Sequence, residues 1–288
     1  MGHLRDLATV VSPLGRRAIV AVVHHGDFHQ LFSSPATRTS ALRLVRRLSG
    51  IVFNTPGLAE RCAPWVPDEK RFVCPNTTSA HTHLSDEAFR ARRTERTDGS
   101  PIRLLYLSGM IPSKGYLDVL ETVGVLCQRG VAVRATFAGR WPNANAEAAF
   151  QARTEALGVT SVVEHLGGVS DRYAVRELYL NADAFVLPTT YPTEAHPLTI
   201  MESLNAGTPV IATAHASIPE MIEDGRSGLL IPPHAPSALA DAVEYLSDLH
   251  TWRSFSVAAR ARYVSHFAPT IVRAWWLALL GQLVTKAP

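Results

Sequence analysis

Residues 194–213 read EAHPLTIMESLNAGTPVIAT, a stretch that contains the signals of a helix followed at once by a strand. Pro197 suits the first position of a helix, and Gly207 followed by Pro209 ends it. The β-branched run that follows, to Thr213, is typical of a buried strand, as is the apolar run at 184–187. A strand, a helix and a second strand in this order predict a βαβ unit in a parallel sheet covered on both faces.

The same alternation extends in both directions from this unit. Before residue 100, strands are predicted at 18–24, 50–54 and 71–74, and helices at 4–11, 38–48 and 56–62. After it, strands are predicted at 102–108, 132–138, 161–165, 184–187, 209–213 and 228–231. Helices are predicted between and after them at 113–128, 146–157, 172–181, 198–206, 218–222 and 237–249. The polar stretch 86–100 is the best candidate for a linker.

Composition limits the class of protein. The chain has 288 residues, of which 47% are hydrophobic and 18% charged, enough apolar material for two modest cores. A formal charge of +3 is too small to indicate nucleic-acid binding. Cys62, Cys74 and Cys127 are scattered without metal-ligand spacing, which is typical of free thiols. The sequence also lacks a signal-peptide pattern at its start, and its C-terminal apolar run is too short for a membrane span. A cytoplasmic protein is expected.

A first candidate site follows the strand at 102–108, in the sequence SGMIPSKG. Ser113 is a good N-cap, so Lys114 would fall in the first helical turn, where the helix macrodipole disfavours a cation. A lysine there is favourable if an anion occupies the helix start, and Gly109 and Gly115 would let backbone approach that anion. The alternative is a solvated lysine.

A second candidate site lies in the stretch quoted first. Glu194 precedes the helix and Glu202 lies about one turn inside it, so both carboxylates can grip vicinal hydroxyls such as those of sugars. The backbone amides of His196, Leu198 and Thr199 could hold a phosphate. Glu202 sits among small and apolar residues and needs a partner if it is buried. The alternative is a capping Glu194 and a solvated Glu202.

Three weaker patterns remain. His25, in the sequence HHGD at the end of the first strand, can contact a substrate hydroxyl or move a proton, or be merely structural. Arg43, Arg46 and Arg47 lie on a basic amphipathic helix that is either a solvated face or a contact with anionic lipid. Asp183 has no second carboxylate at metal spacing, and the P-loop, G-x-G-x-x-G and G-x-S-x-G patterns are absent from the sequence.

Together these segments resemble the retaining GT-B glycosyltransferases of family 4 (glycosyl transferases group 1). Glu194 and Glu202 match that family's EX7E signature, Lys114 lies in a segment similar to its phosphate loop, and His25 in one similar to its N-domain histidine loop. The resemblance implies an α/β fold of GT-B type with two Rossmann-like domains, the N-terminal one incomplete. It implies domain boundaries at 1–98 and 99–267, with a C-terminal crossover helix over 268–288.

The resemblance also implies roles for individual residues. Glu202 would bind the nucleotide ribose, Glu194 would hold the donor sugar near the reacting carbon, and Lys114 would neutralise the diphosphate. His25 would contact the sugar from the N-domain. The implied reaction transfers a sugar from a nucleotide-diphosphate sugar to a saccharide or lipid-linked acceptor with retention of configuration. It needs no cofactor and no obligatory metal.

The sequence departs from the family pattern in three places. Met110 and Ala195 stand where many members have an arginine and a glycine, and the family's opening strands have no counterpart before Met1. The strand at 18–24 would then have an exposed edge. Two alternatives therefore stay open: a non-catalytic nucleotide-sugar-binding fragment that needs a partner to supply the missing elements, and a GT-B-like nucleotide-sugar epimerase.

Overall fold

The computed structural model describes residues 6–11, 17–24, 26–79, 82–92 and 96–286. The chain divides into two compact units, and each contains one sheet with helices on both of its faces. Unit 1 comprises Met1–Thr77, Pro192–Pro197 and His266–Pro288. Unit 2 comprises Thr78–Tyr191 and Leu198–Ser265.

Unit 1 has a four-stranded sheet in the order β1-β2-β3-β4. Its strands are β1 (Asp6–Val11), β2 (Arg17–Val23), β3 (Gly50–Phe53) and β4 (Arg71–Val73). β1 pairs antiparallel with β2, whereas β2, β3 and β4 pair in parallel. The prediction of a helix over 4–11 is wrong, because residues 6–11 form β1. The expected exposed edge at 18–24 is wrong for the same reason, since β1 pairs with β2 from Arg17 to Val22.

The two faces of this sheet are covered by different helices. Ala21 and Val23 point to the face packed by α1 (Gln30–Ser33), α2 (Pro35–Arg47) and α3 (Pro56–Arg61). Val20 and Val52 point to the other face, which is packed by α12 (Pro269–Lys286) through Val272, Leu279 and Leu283. The period of two along each strand therefore explains why β2 and β3 are apolar throughout.

Unit 2 has a six-stranded parallel sheet in the order β10-β9-β8-β5-β6-β7. Its strands are β5 (Ile102–Leu107), β6 (Val133–Ala138), β7 (Val163–His165), β8 (Ala184–Leu187), β9 (Val210–Thr213) and β10 (Gly228–Ile231). All six lie within the predicted strands. The order reverses between β5 and β8, so the carboxyl ends of these two strands border the crevice where ligands bind in such sheets.

The helices of unit 2 surround this sheet. They are α4 (Asp86–Arg92), α5 (Tyr116–Gln128), α6 (Ala144–Ala156), α7 (Arg172–Asn181), α8 (Leu198–Asn205), α9 (Ile218–Met221), α10 (Pro236–Tyr245) and α11 (Leu249–His266). Most of them occupy the predicted positions, but three differences matter. The linker predicted over 86–100 contains α4, the helix predicted over 237–249 ends at Tyr245, and the 18-residue α11 was not predicted.

Segment 82–86 is held to the rest of unit 2 through one buried arginine. Arg260, on α11, donates hydrogen bonds to the Asn205 side chain, the Leu84 carbonyl and the Asp86 carboxylate. The Asn205 amide in turn donates to the Thr82 carbonyl and its oxygen accepts from the Leu84 N–H. A buried guanidinium needs such partners, and two of its four acceptors, the Leu84 carbonyl and the Asp86 carboxylate, belong to this segment. The segment is therefore part of the folded unit.

Candidate functional site

Five loops of unit 2 begin at the carboxyl ends of β5, β6, β7, β8 and β9, and we call this side of the sheet the carboxyl edge. Most of the residues predicted to bind a donor lie here. The structure places Gly109 and Lys114 in the loop after β5, and Leu198, Thr199 and Glu202 on α8, which follows β8. Predicted residues from two distant parts of the sequence therefore belong to one edge of one sheet.

Lys114 ends a short 3-10 turn (Pro112–Lys114) and precedes α5. The predicted cap at Ser113 is wrong, because Gly115 occupies the N-cap position of α5 with φ +82°. A Cβ at Gly115 would lie 2.2 Å from the Pro188 carbonyl oxygen, so this glycine is required by the packing of the loops after β5 and β8. Lys114 consequently projects from the turn before the helix rather than from its first turn.

The Lys114 ammonium lies over the ring of Tyr191, 4.4 Å from its centroid. Tyr191 is itself fixed in the loop after β8, because its N–H donates to the Thr189 hydroxyl and its carbonyl lies 2.9 Å from Nε2 of His215. His215 follows β9, so three adjacent loops determine where this cation sits. A half-buried lysine held over an aromatic face at a carboxyl edge can neutralise an anion that enters there.

Glu202 is buried in α8, with 7% of its surface exposed. The Tyr179 hydroxyl donates to its Oε2 at 3.2 Å, and the Arg172 guanidinium lies 3.6 Å from its Oε1. Burial raises the pKa of Glu202, while the hydrogen bond from Tyr179 and the charge of Arg172 lower it. The expectation that a buried Glu202 needs a partner is confirmed, and the alternative of a solvated carboxylate is wrong.

Glu194 belongs to unit 1, with the rest of segment Pro192–Pro197. Glu194 is buried. Its backbone packs closely on Gly26, because a Cβ added to Gly26 would lie 2.5 Å from the Glu194 carbonyl oxygen. The Gly26 N–H also donates to the Thr193 carbonyl, and Ala195 packs into the core of unit 1 against the helices α1 to α3. Glu194 is thus fixed by the loop that follows β2, the loop in which His25 was predicted. His25 itself lies outside the described residues.

His196 is buried in unit 1. The centroid of its ring lies 5.5 Å from that of Phe267, and the two rings meet edge to face. Desolvation lowers its pKa to about 4, and its Nδ1 has no hydrogen-bond partner among the residues that the structure describes. Its imidazole is therefore neutral near pH 7 and supplies no positive charge. Any contribution to anion binding must come from its backbone.

The start of α8 is open for a ligand. Leu198 and Thr199 form its first two residues, Leu198 is exposed, and the N–H groups of a first helical turn have no partner within the helix. Across the sheet, an added Cβ at Gly109 would meet nothing within 4 Å. Both features leave room for an anion near backbone N–H groups.

Four residues of the site were not predicted from the sequence. They are Tyr179 and Arg172, which contact Glu202; Tyr191, whose ring lies under the Lys114 ammonium; and Arg140. Arg140 is exposed at the end of β6, accepts a hydrogen bond from the Met110 N–H, and lies against Gly168. Met110, which occupies the position of the expected arginine, is fully buried. Arg140 thus contacts the Met110 loop through its backbone carbonyl, while its side chain packs on Gly168 in the loop after β7.

No group of His, Cys, Asp or Glu side chains suited to hold a metal ion occurs within the described ranges. Asp183, which has no second carboxylate at metal spacing in the sequence, is buried and forms a bidentate pair with Arg103. In unit 2 the carboxyl edge thus combines a held lysine, a buried carboxylate and the start of a helix. This set matches a ligand that carries both phosphate and vicinal hydroxyls, as nucleotides do.

Comparison with known proteins shows a family whose relatives include glycosyltransferases. Residues 88–261 match the family Glycosyl transferases group 1, and the chain belongs to that family. It is 29% identical over 203 residues to a Salmonella typhimurium protein assigned to colanic acid biosynthesis as the glycosyltransferase WcaL, covering 69% of this chain and 49% of that protein. It is 27% identical over 210 residues to the D-inositol 3-phosphate glycosyltransferase of Paenarthrobacter aurescens, covering 72% of this chain and 50% of the relative. The chain thus spans about half the length of these relatives.

Solved structures show the same fold. HepE of Anabaena, crystallised with UDP and glucose, has a TM-score of 0.72 and 19% identity, covering 91% of this chain and 71% of that one. A glycosyltransferase of Rickettsia africae also has a TM-score of 0.72, with 17% identity, covering 93% of this chain and 71% of that one. The predicted fold class is confirmed: the chain has the α/β fold of GT-B glycosyltransferases, and its sheets are parallel apart from β1.

Proposed function

We propose that this protein is a retaining glycosyltransferase of family 4 that takes a sugar from a nucleotide-diphosphate sugar and passes it to a saccharide or lipid-linked acceptor. The observation that supports this most is Glu202, a buried carboxylate at the carboxyl edge whose two oxygens face a tyrosine hydroxyl and an arginine. Burial of a carboxylate is costly unless donors are provided for its oxygens, and the two hydroxyls of a ribose can donate hydrogen bonds to it.

In this proposal the predicted residues divide between binding the nucleotide and holding the donor sugar. Glu202 accepts hydrogen bonds from the ribose hydroxyls, and Lys114 neutralises the diphosphate together with the N–H groups of Leu198 and Thr199 at the start of α8. Charge that develops on the leaving diphosphate is thereby stabilised by groups that are already in place, which is usually the largest contribution to catalysis. Glu194 holds the donor sugar near its reacting carbon, and His25 contacts the sugar from unit 1. The proposed reaction requires no cofactor and no bound metal.

Donor binding is tested by calorimetry with UDP, GDP and ADP and their sugar conjugates. Glu202→Gln keeps the shape of the side chain but removes its charge, so we expect the best nucleotide to bind about 10- to 100-fold more weakly, as for the loss of charge-assisted hydrogen bonds. Lys114→Ala should weaken the same ligand by about 10-fold through the loss of its charge.

Matched controls remove the same charges elsewhere in unit 2. Glu177→Ala removes a carboxylate from an exposed pair with Arg176, and Arg226→Ala removes an exposed cation. Both control variants should bind nucleotide like the wild type. Unchanged affinity in both Glu202→Gln and Lys114→Ala would show that the site has been assigned wrongly.

Transfer is tested separately from binding. Glu194→Gln should leave the nucleotide dissociation constant within about twofold of wild type, but reduce the rate of transfer by at least 10-fold, because its role is at the reacting carbon. The anomeric configuration of the product, followed by proton NMR from the first turnovers, decides between retention and inversion. An inverted product would exclude the retaining mechanism.

Two alternatives differ from this proposal in what happens to bound donor. A non-catalytic nucleotide-sugar-binding protein, or one that needs a partner to supply further N-domain elements, would bind donor without turnover until the partner is added. A nucleotide-sugar epimerase would change the configuration of the donor sugar in the absence of any acceptor. Incubation of donor with the protein alone, analysed by NMR, separates these outcomes.

We also propose that the protein works in the cytoplasm, with peripheral contact at an anionic membrane. No described helix is long and apolar enough to cross a bilayer. On α2, Arg43, Arg46 and Arg47 are exposed while Ala41 and Val45 are buried in the core of unit 1. Co-sedimentation with vesicles that contain anionic lipid should fall when the three arginines are replaced by glutamine, and binding that is unaffected would exclude α2 as the contact.

A further inference from the structure

The two oxygens of Glu202 have different neighbours. Oε2 accepts a hydrogen bond from the hydroxyl of Tyr179, which is fully buried on α7. Oε1 faces the guanidinium of Arg172 at 3.6 Å, and the Arg172 side chain is 58% exposed. Because each carboxylate oxygen can accept two hydrogen bonds, both oxygens keep capacity for a ligand hydroxyl. Tyr179 thus fixes the carboxylate from inside, whereas Arg172 approaches it from the solvent side.

The position of Arg172 is unfavourable by itself. It is the first residue of α7, directly after the N-cap Asp171, whose carboxylate accepts hydrogen bonds from the N–H groups of Tyr173 and Ala174. A cation in the first turn opposes the helix macrodipole, at a cost of some tenths of a kcal/mol. The nearby Glu202 carboxylate offsets this cost. The Asp171 cap fixes the start of α7 and therefore the position of Arg172, its first residue.

We propose that Arg172 is the counter-ion of Glu202, and that it keeps this carboxylate ionised and aligned to accept hydrogen bonds from the 2′- and 3′-hydroxyls of a bound nucleotide. Arg172 is thus a positioning residue that acts through Glu202. The inference rests on the proposed function, because it assumes that Glu202 binds ribose.

The charged and titratable groups around Glu202 support this assignment. Besides Arg172, two tyrosines interact with Glu202 among the described residues, Tyr179 on α7 and Tyr263 on α11. Burial raises the pKa of both tyrosine hydroxyls, so they stay neutral at physiological pH and add no negative charge beside Glu202. Without Arg172, the pKa of Glu202, already raised by burial, would rise further. A protonated Glu202 loses acceptor capacity, so ribose binding would weaken at a higher pH than in the wild type.

The experiment measures nucleotide affinity by calorimetry between pH 5 and 8 in wild type, Arg172→Ala and Arg172→Lys. The probes are UDP and GDP, each compared with its 2′,3′-dideoxy counterpart, which lacks both ribose hydroxyls. Arg176→Ala, on the same helix and ion-paired with Glu177, is the matched control. Thermal unfolding of each variant verifies that it is folded at the temperature used.

We expect Arg172→Ala to weaken the hydroxyl-bearing nucleotide about three- to tenfold at pH 7, allowing for the exposure of the arginine. Its affinity should fall off at a higher pH than that of the wild type, whereas the dideoxy nucleotide should bind both proteins alike. Arg172→Lys should recover most of the loss, and Arg176→Ala should show none.

Three results would overturn the inference. Equal weakening of the nucleotide and its dideoxy form would mean that Arg172 contacts the phosphates or base directly. An unchanged affinity and pH profile in Arg172→Ala would mean that the ion pair has no role in binding. If wild type bound neither UDP nor GDP, nor any other nucleoside diphosphate, the proposed function itself would fail, and the inference with it.

Discussion

His196 provides a test of how unit 1 is packed around segment Pro192–Pro197. Its imidazole is buried against Phe267, and desolvation lowers its pKa from 6.5 to about 4. The folded protein therefore binds fewer protons than the unfolded chain between these two values. The free energy of unfolding should fall as the pH drops through 6.5, and the loss should be complete below about pH 4.

The size of this effect follows from the two pKa values. A gap of about 2.5 pH units corresponds to about 3 kcal/mol when the pH is below both values. Between pH 7 and pH 5 the same relation gives a loss of about 2 kcal/mol. His196→Phe should abolish this part of the pH dependence, because phenylalanine does not titrate and can keep the contact with Phe267.

Urea unfolding of wild type and His196→Phe, followed by tryptophan fluorescence at several pH values from 5 to 8, measures the difference directly. Other titrating groups act in both proteins and cancel when the two curves are subtracted. We expect the wild type to lose about 2 kcal/mol more than the variant between pH 7 and 5. A difference that stays constant over this range would refute the reasoning, because it would mean that His196 is hydrated in the native protein.

Three further predictions concern the framework of the site. Gly115→Ala should lower the free energy of unfolding by at least about 1 kcal/mol in a urea titration, because the new Cβ would strike the Pro188 carbonyl at a positive φ. Wild-type stability in this variant would mean that the turn can rearrange. Arg260→Leu should cost about 3 kcal/mol or more in the same assay, because the Leu84 carbonyl loses its guanidinium donor, the Asn205 side-chain oxygen loses one of its two donors, and Asp86 loses its ion pair. A loss below about 1 kcal/mol would show that segment 82–86 is held by other contacts. One cysteine, the exposed Cys127, should react rapidly with a thiol reagent in the native protein, since burial raises the pKa of the other two thiols to about 11. Rapid reaction of all three would show that unit 1 opens easily.

Most of the fold could be predicted because local signals and tertiary packing agree. In unit 2 every strand lies within a predicted strand, since buried parallel strands are continuous apolar runs separated by helices. The failures occur where two patterns fit equally well. Residues 4–11, LRDLATVV, have apolar side chains at both helical and strand spacing, and the antiparallel pairing with the next strand, β2, selects the strand. Residues 86–92 look like a linker by polarity, but two acidic residues at the start favour a helix.

The candidate site could be predicted only in part, for a similar reason. Gly109, Lys114, Leu198, Thr199 and Glu202 could be located because each lies beside a strand end or helix start that the sequence marks. Tyr179 and Arg172 lie 23 and 30 residues before Glu202, and no local pattern links them to it. Their contact depends on how α7 packs beside α8, which is a property of the folded sheet. The role of Tyr191 under the Lys114 ammonium is likewise a result of loop packing.

The position of α12 late in the sequence determines when one face of the first sheet can be covered during synthesis. The side chains that cover one face of the first sheet, Val272, Leu279 and Leu283, emerge from the ribosome long after the strands that they cover. About 200 residues separate β4 from α12, which corresponds to roughly 10 to 40 seconds of synthesis. During that interval unit 2 can complete its sheet, while Val20 and Val52 have no helix above them. These strands are thus translated long before this face of their sheet is covered, and we expect a chaperone to bind the nascent chain there during that interval.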